Sequence, residues 1–160
     1  MDTAQAVFHG VFWFYLGAFV GVTLGGRISD VLKPRRAGIR FEVELVGLAL
    51  CIPFILMMAY SQSLVWMIVA ILMFGFATGV YDSNIYAALF DVINPRFRAV
   101  GTGLFGCGGC IVGAFGPAVM GFLNDAFSPR VSMASLAAFA VVGALAILCA
   151  RVFTFNKDKI

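Results

Sequence analysis

Residues 3–26 read TAQAVFHGVFWFYLGAFVGVTLGG without one charged side chain, and residues 27–40 then read RISDVLKPRRAGIR, with five basic residues and one acid. An uncharged run longer than about 20 apolar residues suffices to cross the hydrocarbon core of a bilayer. A basic cluster directly after it is what a cytoplasmic surface selects. These two adjoining stretches predict a membrane-spanning helix and its inner flank. The rest of the chain repeats the pattern.

Four further stretches are long and apolar enough, at about 41–60, 64–90, 99–123 and 131–154. Glu42 and Glu44 stand at the entrance of the second, and Asp82 is the one charge inside the third. Hydrophobic residues make up 62% of the chain, charged ones 12%, and the mean hydropathy is +1.00. A soluble domain carries about twice that share of charge, and a chain this short leaves much of its surface outside any core. That surface is expected to face lipid. A nucleic-acid-binding domain, a disordered chain and a disulfide-stapled scaffold do not fit this composition. No stretch alternates apolar and polar residues as a β-barrel strand does. The expected fold is therefore all-α: one polytopic bundle of five transmembrane helices over residues 1–160, joined by short connections.

Lys and Arg in the connections set the expected orientation. Arg27, Lys33, Arg35, Arg36 and Arg40 lie in the first, Arg96 and Arg98 in the third, and Arg151, Lys157 and Lys159 in the tail. The second connection, Ser61-Gln62-Ser63, has none, and the fourth has only Arg130. The N-terminus is thus expected outside and the C-terminus in the cytoplasm. Tyr60 and Trp66 flank the outer turn as interfacial anchors. The start, Met1-Asp2-Thr3-Ala4-Gln5, lacks the basic residue of a signal peptide, so the first segment reads as a true span. With an outside N-terminus and an odd number of spans, the chain reads as truncated at its start.

Gly17, Gly21 and Gly25 repeat at every fourth position, as do Gly75 with Gly79 and Gly109 with Gly113. Such spacing lets helix backbones approach closely where lipid removes the hydrophobic drive to associate. The contacts are either static or sliding ones. Pro53 and Pro117 fall inside the second and fourth spans, where each removes a helical hydrogen bond.

After Gly26 the order is Ile28, Ser29, Asp30 and then Arg35-Arg36. This order resembles the loop signature of the major facilitator superfamily of secondary transporters, a glycine, an aliphatic residue, a small residue, an aspartate and a basic cluster. Val31 and Lys33 depart from it, in place of a basic residue and a glycine. The run from Asp91 through Asn94-Pro95-Arg96-Phe97-Arg98-Ala99 to Gly116-Pro117, Gly121 and Asn124-Asp125 is similar to the family's tenth and eleventh helices. The resemblance implies that the five spans are helices eight to twelve of a twelve-helix transporter. It further implies that the first and fourth spans face the other half of the protein and that the third lines the substrate cavity. A gating loop of Gly26, Arg27, Asp30, Arg35, Arg36 and Asp91 is then expected. In it, Asp30 docks at the N-terminus of the fourth span near residues 99–103, and Arg27 or Arg36 pairs with Asp91.

Asp82 should face protein or a water-filled cavity, because a charge against lipid is costly. Thr78 and Tyr86, four residues to either side, are expected to share its face, with Tyr81 and Asn84 turned to neighbouring helices. These five are candidates for contacting substrate or a coupling proton; the other reading is a structural acid bonded to backbone or Tyr. Cys107-Gly108-Gly109-Cys110 has metal-like spacing, but small residues packed in a helix explain it. Cys51 and Cys149 read as apolar filler, and His9 as an interfacial or packed residue. No metal, cofactor or enzymatic motif is expected. The expected partners are the bilayer of a cell (inner) membrane, a small-molecule substrate, and a missing N-terminal half or another membrane subunit; nucleic acid is not one. The competing function is a small non-transport membrane protein that acts by helix association.

Overall fold

The computed structural model describes residues 2–36 and 38–155. Lys157 and Lys159, assigned above to the cytoplasmic tail, lie outside the described residues. The chain is helical throughout, with no strand among the described residues. Six α-helices follow in order: α1 Thr3–Leu32, α2 Ile39–Tyr60, α3 Leu64–Asp82, α4 Ile85–Val92, α5 Arg98–Ala126 and α6 Pro129–Cys149. A 3-10 turn, Pro95–Phe97, precedes α5, and a π-helical turn, Ala150–Phe155, ends the described chain. Five stretches are long and apolar enough to cross a membrane, with α3 and α4 together making the third.

Two helix boundaries differ from expectation. The Gly25-Gly26 pair does not end α1, which runs on to Leu32. Both glycines keep negative φ, and no residue from Arg27 to Leu32 breaks a helix; Pro34, two residues on, does. The third span, expected as one helix over 64–90, is broken at Ser83-Asn84. There the Ser83 hydroxyl donates to the Val80 carbonyl at 2.7 Å and the Asn84 amide donates to the Ser83 Oγ at 2.7 Å. Short polar side chains that bond nearby groups compete in this way with the helical ladder. Asn84 is 1% exposed, so the break is buried inside the bundle.

The helices pack in the spatial order α1, α3, α2, α6, α5. Glycine decides the first contact. A Cβ at Gly17 would collide with the backbone of Leu72 and Phe76, one at Gly21 with Phe76 and Val80, and one at Gly25 with Val80 and the Ser83 hydroxyl. Reciprocally, a Cβ at Gly75 would strike Phe14, and one at Gly79 would strike Ala18 and Val22. The two glycine rows thus interlock, as small-residue interfaces in membranes do. Residue numbers rise together along both helices, so α1 and α3 are parallel. On the other side of α3, Gly47 abuts Tyr81 while Cys51 meets Thr78, so numbers run oppositely and α2 is antiparallel to α3. A small core of Cys51, Ile55, Ala77, Ala137 and Ala140 joins α2, α3 and α6.

The glycines of α5 behave otherwise. Gly103, Gly106, Gly108, Gly109, Gly113, Gly116 and Gly121 have nothing within contact of a would-be Cβ, and no residue of α5 is buried. The expectation of a tightly packed helix around Cys107 and Cys110 therefore fails within this chain: both thiols are exposed. Pro53 and Pro117 both lie inside uninterrupted helices. Ser128 caps α6 as its sequence position predicts, its hydroxyl accepting from the Val131 N–H at 3.3 Å with Pro129 in the first turn. Asn94 does the same for the 3-10 turn, accepting from the Arg96 N–H at 3.1 Å.

Candidate functional site

Because α1 and α3 are parallel, the connection after α1 and the one after α4 emerge at the same end of the bundle. Opposite charges meet there. Asp91, near the end of α4, accepts from the Lys33 ammonium at 2.6 Å and from Arg40 Nη1 at 2.9 Å. The same Arg40 nitrogen donates to the Ala87 carbonyl at 3.0 Å, and Arg40 Nη2 lies 3.7 Å from Asp30. Arg40 thereby ties α1 to α4 from the first turn of α2. Its guanidinium suits this task, since a planar fork reaches several acceptors at once. Arg98 adds a donation to the Phe90 carbonyl at 3.1 Å, so two arginines bond carbonyls of the short α4, where the helix dipole favours positive charge.

A second cluster adjoins this one. Glu42 pairs with Arg36, at 3.6 Å, and with Arg151 from the π-helical turn. The chain's two ends of charge, the first connection and the segment after α6, are thus bridged by one carboxylate.

The expected partners of Asp91 were Arg27 or Arg36, and the structure replaces them with Lys33 and Arg40. Continuation of α1 to Leu32 is the reason, because it carries Lys33 beyond the helix to the level of α4. Asp30 pairs with Arg40 instead of docking at the N-terminus of α5. Arg27 and Arg35 form no ion pair among the described residues. Gly26 has open space around it.

The five polar candidates of the third span do not converge. The Thr78 hydroxyl donates to the Phe74 carbonyl at 2.9 Å and lies 3.8 Å from the Cys51 sulfur, towards α2. Tyr86 meets Phe105 of α5 edge-on, with ring centroids 5.9 Å apart. Asp82, the last residue of α3, is exposed. Asn84 is spent on the helix break, and Tyr81 turns to α2. The break itself separates Thr78 and Asp82 from Tyr86.

Where Tyr81 turns, the sequence reading missed a residue. Glu44 is 5% exposed, and its Oε1 has no hydrogen-bond partner among the described residues. It lines, with Tyr81, a crevice of about 300 Å³ between α2, α4, α5 and α6. The available signal was its spacing from Gly47, since three residues along α2 place both on one face of the helix.

The sequence profile of the Major Facilitator Superfamily matches residues 3–159. The chain belongs to this superfamily. Its members are membrane transporters, and the five apolar helices make this chain an integral membrane protein of that kind. No curated protein and no solved structure matches it. In this facilitator chain, the segment resembling the family's loop signature supplies Asp30 and, at a position that departs from the signature, Lys33 to the ion-pair cluster completed by Arg40 and Asp91.

Proposed function

We propose that this chain is part of the second half of a secondary active transporter, its spans corresponding to helices eight to twelve, which moves a small solute by symport or antiport with rocking alternating access. The observation that carries the reading is the Asp30–Arg40–Asp91–Lys33 cluster. It fastens the ends of α1, α2 and α4 to one another through exchangeable charges, and a latch of this kind can hold one end of a bundle closed and release it on opening. The proposed orientation puts the cluster in the cytoplasm and the Ser61-Gln62-Ser63 turn outside, in the cell (inner) membrane. The bare glycine face of α5 and the exposed Asp82 on α3 then face the rest of the transporter and its solute pathway. The partners so implied are the bilayer, a small-molecule substrate and an N-terminal half or other membrane subunit.

The test starts from the reading frame upstream of Met1, where six or seven further hydrophobic spans are expected. The joined protein is expected to accumulate a labelled small solute in vesicles under an imposed proton or sodium gradient. A clean start site with no preceding span, together with no gradient-driven uptake, overturns the reading. The open glycine face of α5 then favours a second function, association with another membrane helix, which cross-linking through Cys107 and Cys110 would detect.

A further inference from the structure

Glu44 stands about 8 Å along α2 from the first residue of that helix, as a rise of about 1.5 Å per residue requires. Its side chain is buried, and Oε1 lacks a partner. Among the described residues Glu44 forms no ion pair. On α2 itself, Arg40 is committed to Asp91 and Asp30, and Glu42 to Arg36 and Arg151. From α3, the group that lines the crevice is Tyr81, while the next residue, Asp82, is exposed outside the lining. From α4 come Ile85, Ala88, Leu89 and Val92, from α5 Phe105, and from α6 and the π-helical turn Ile147 and Ala150. Every one of these last seven is apolar.

A carboxylate in such a place is strongly destabilised unless a positive charge meets it. The crevice leaves room for that charge: about 300 Å³ is several times what one water needs. We propose that Glu44 is a cation-accepting site, taking up a proton or a sodium ion in the crevice, with the Tyr81 phenol as its polar neighbour. Its place as a coupling site in transport rests on the reading above, while the uptake of the cation does not. The crevice is bounded by helices on both sides of the Ser83-Asn84 break, so a shift of α4 against α3 opens or closes the carboxylate to solvent.

The experiment labels the native chain, reconstituted in phosphatidylcholine vesicles, with dicyclohexylcarbodiimide, which adds to a protonated carboxyl in an apolar setting. Peptide mass spectrometry reads Glu44, Glu42 and Asp82 separately. In sodium-free choline buffer, Glu44 is expected to take up label at mildly acid pH and to lose it as the pH is raised, while Glu42, held by two arginines, stays unlabelled. Loss of label on adding sodium chloride at constant pH and ionic strength identifies sodium as a ligand; no such loss assigns the site to the proton alone. The variant E44Q removes the label and confirms the assignment. Absence of label at Glu44 at every pH, or a label unmoved by both pH and sodium, overturns the proposal. Solute uptake plays no part in the readout, so this result and that for transport fail separately.

Discussion

Arg40 Nη1 and Asp91 Oδ1 lie 2.9 Å apart, joining the first turn of α2 to the last turn of α4 across 51 positions of sequence. Both side chains are largely sheltered, at 17% and 13% exposure, whereas Lys33, the other partner of Asp91, is 39% exposed. Shelter separates the two pairs energetically. An exposed ion pair contributes about 1 kcal/mol or less, but stripping a sheltered charge of its partner costs about 3 kcal/mol. Unfolding of the purified chain in detergent should therefore show D91A destabilised by about 3 kcal/mol. K33A should lose about 1 kcal/mol or less. R40K should fall between them, because an ammonium cannot reach Ala87, Asp30 and Asp91 together. Equal effects of D91A and K33A would contradict the inequality.

The interlocked glycines of α1 and α3 give a sharper contrast. At Gly21 or Gly75 an added methyl meets backbone of the facing helix, which has no side chain to move aside. G21A and G75A should each cost about 1–3 kcal/mol, the usual range for overpacking. At Gly103 an added methyl meets nothing, and G103A should be neutral or stabilising by up to about 1 kcal/mol through helix propensity. The same detergent unfolding assay measures all three.

Only part of this was legible beforehand. The spans were, because hydropathy over a bilayer-length window needs no tertiary information, and the match of Gly17, Gly21 and Gly25 to an interface needed only their spacing. The continuation of α1 past Gly26 was not. A glycine pair followed by arginine has the composition of a helix end, and only the lack of a left-handed φ shows otherwise. That single misplacement also hid the true partners of Asp91, since ion pairing at a bundle end depends on where each helix stops. Glu44 was overlooked because a start at residue 41 makes it an entrance residue, while the observed start at Ile39 carries it two residues, about 3 Å, deeper. The Ser83-Asn84 break was hidden among apolar neighbours that favour helix.

The break makes its own prediction. Replacing the two polar side chains, S83A with N84L, removes both hydrogen bonds that compete with the ladder. The third span should then run straight from α3 into α4 and rotate Asp91 away from Arg40. Cysteines at positions 33 and 91, in a background without the four native cysteines, should cross-link in the parent chain and fail to do so in the double variant. Undiminished cross-linking would mean that the interruption is set by packing and not by these side chains.

Orientation is open to direct measurement. With the native cysteines removed, S63C in sealed right-side-out vesicles should react with an impermeant maleimide, and R35C should react only after permeabilisation. The reverse pattern would invert the topology expected from the charge distribution.

Helix α5 meets the bundle through Ile93 against Gly101, Tyr86 against Phe105, Arg98 on Phe90, and the Ser132 and Ser135 hydroxyls on Met120. The helix is continuous although Pro117 removes one rung of its ladder, and no residue on it is buried against this chain. If the proposed transporter half is correct, the surface that rests against these glycines sets where α5 lies, and the helix reports on its neighbour.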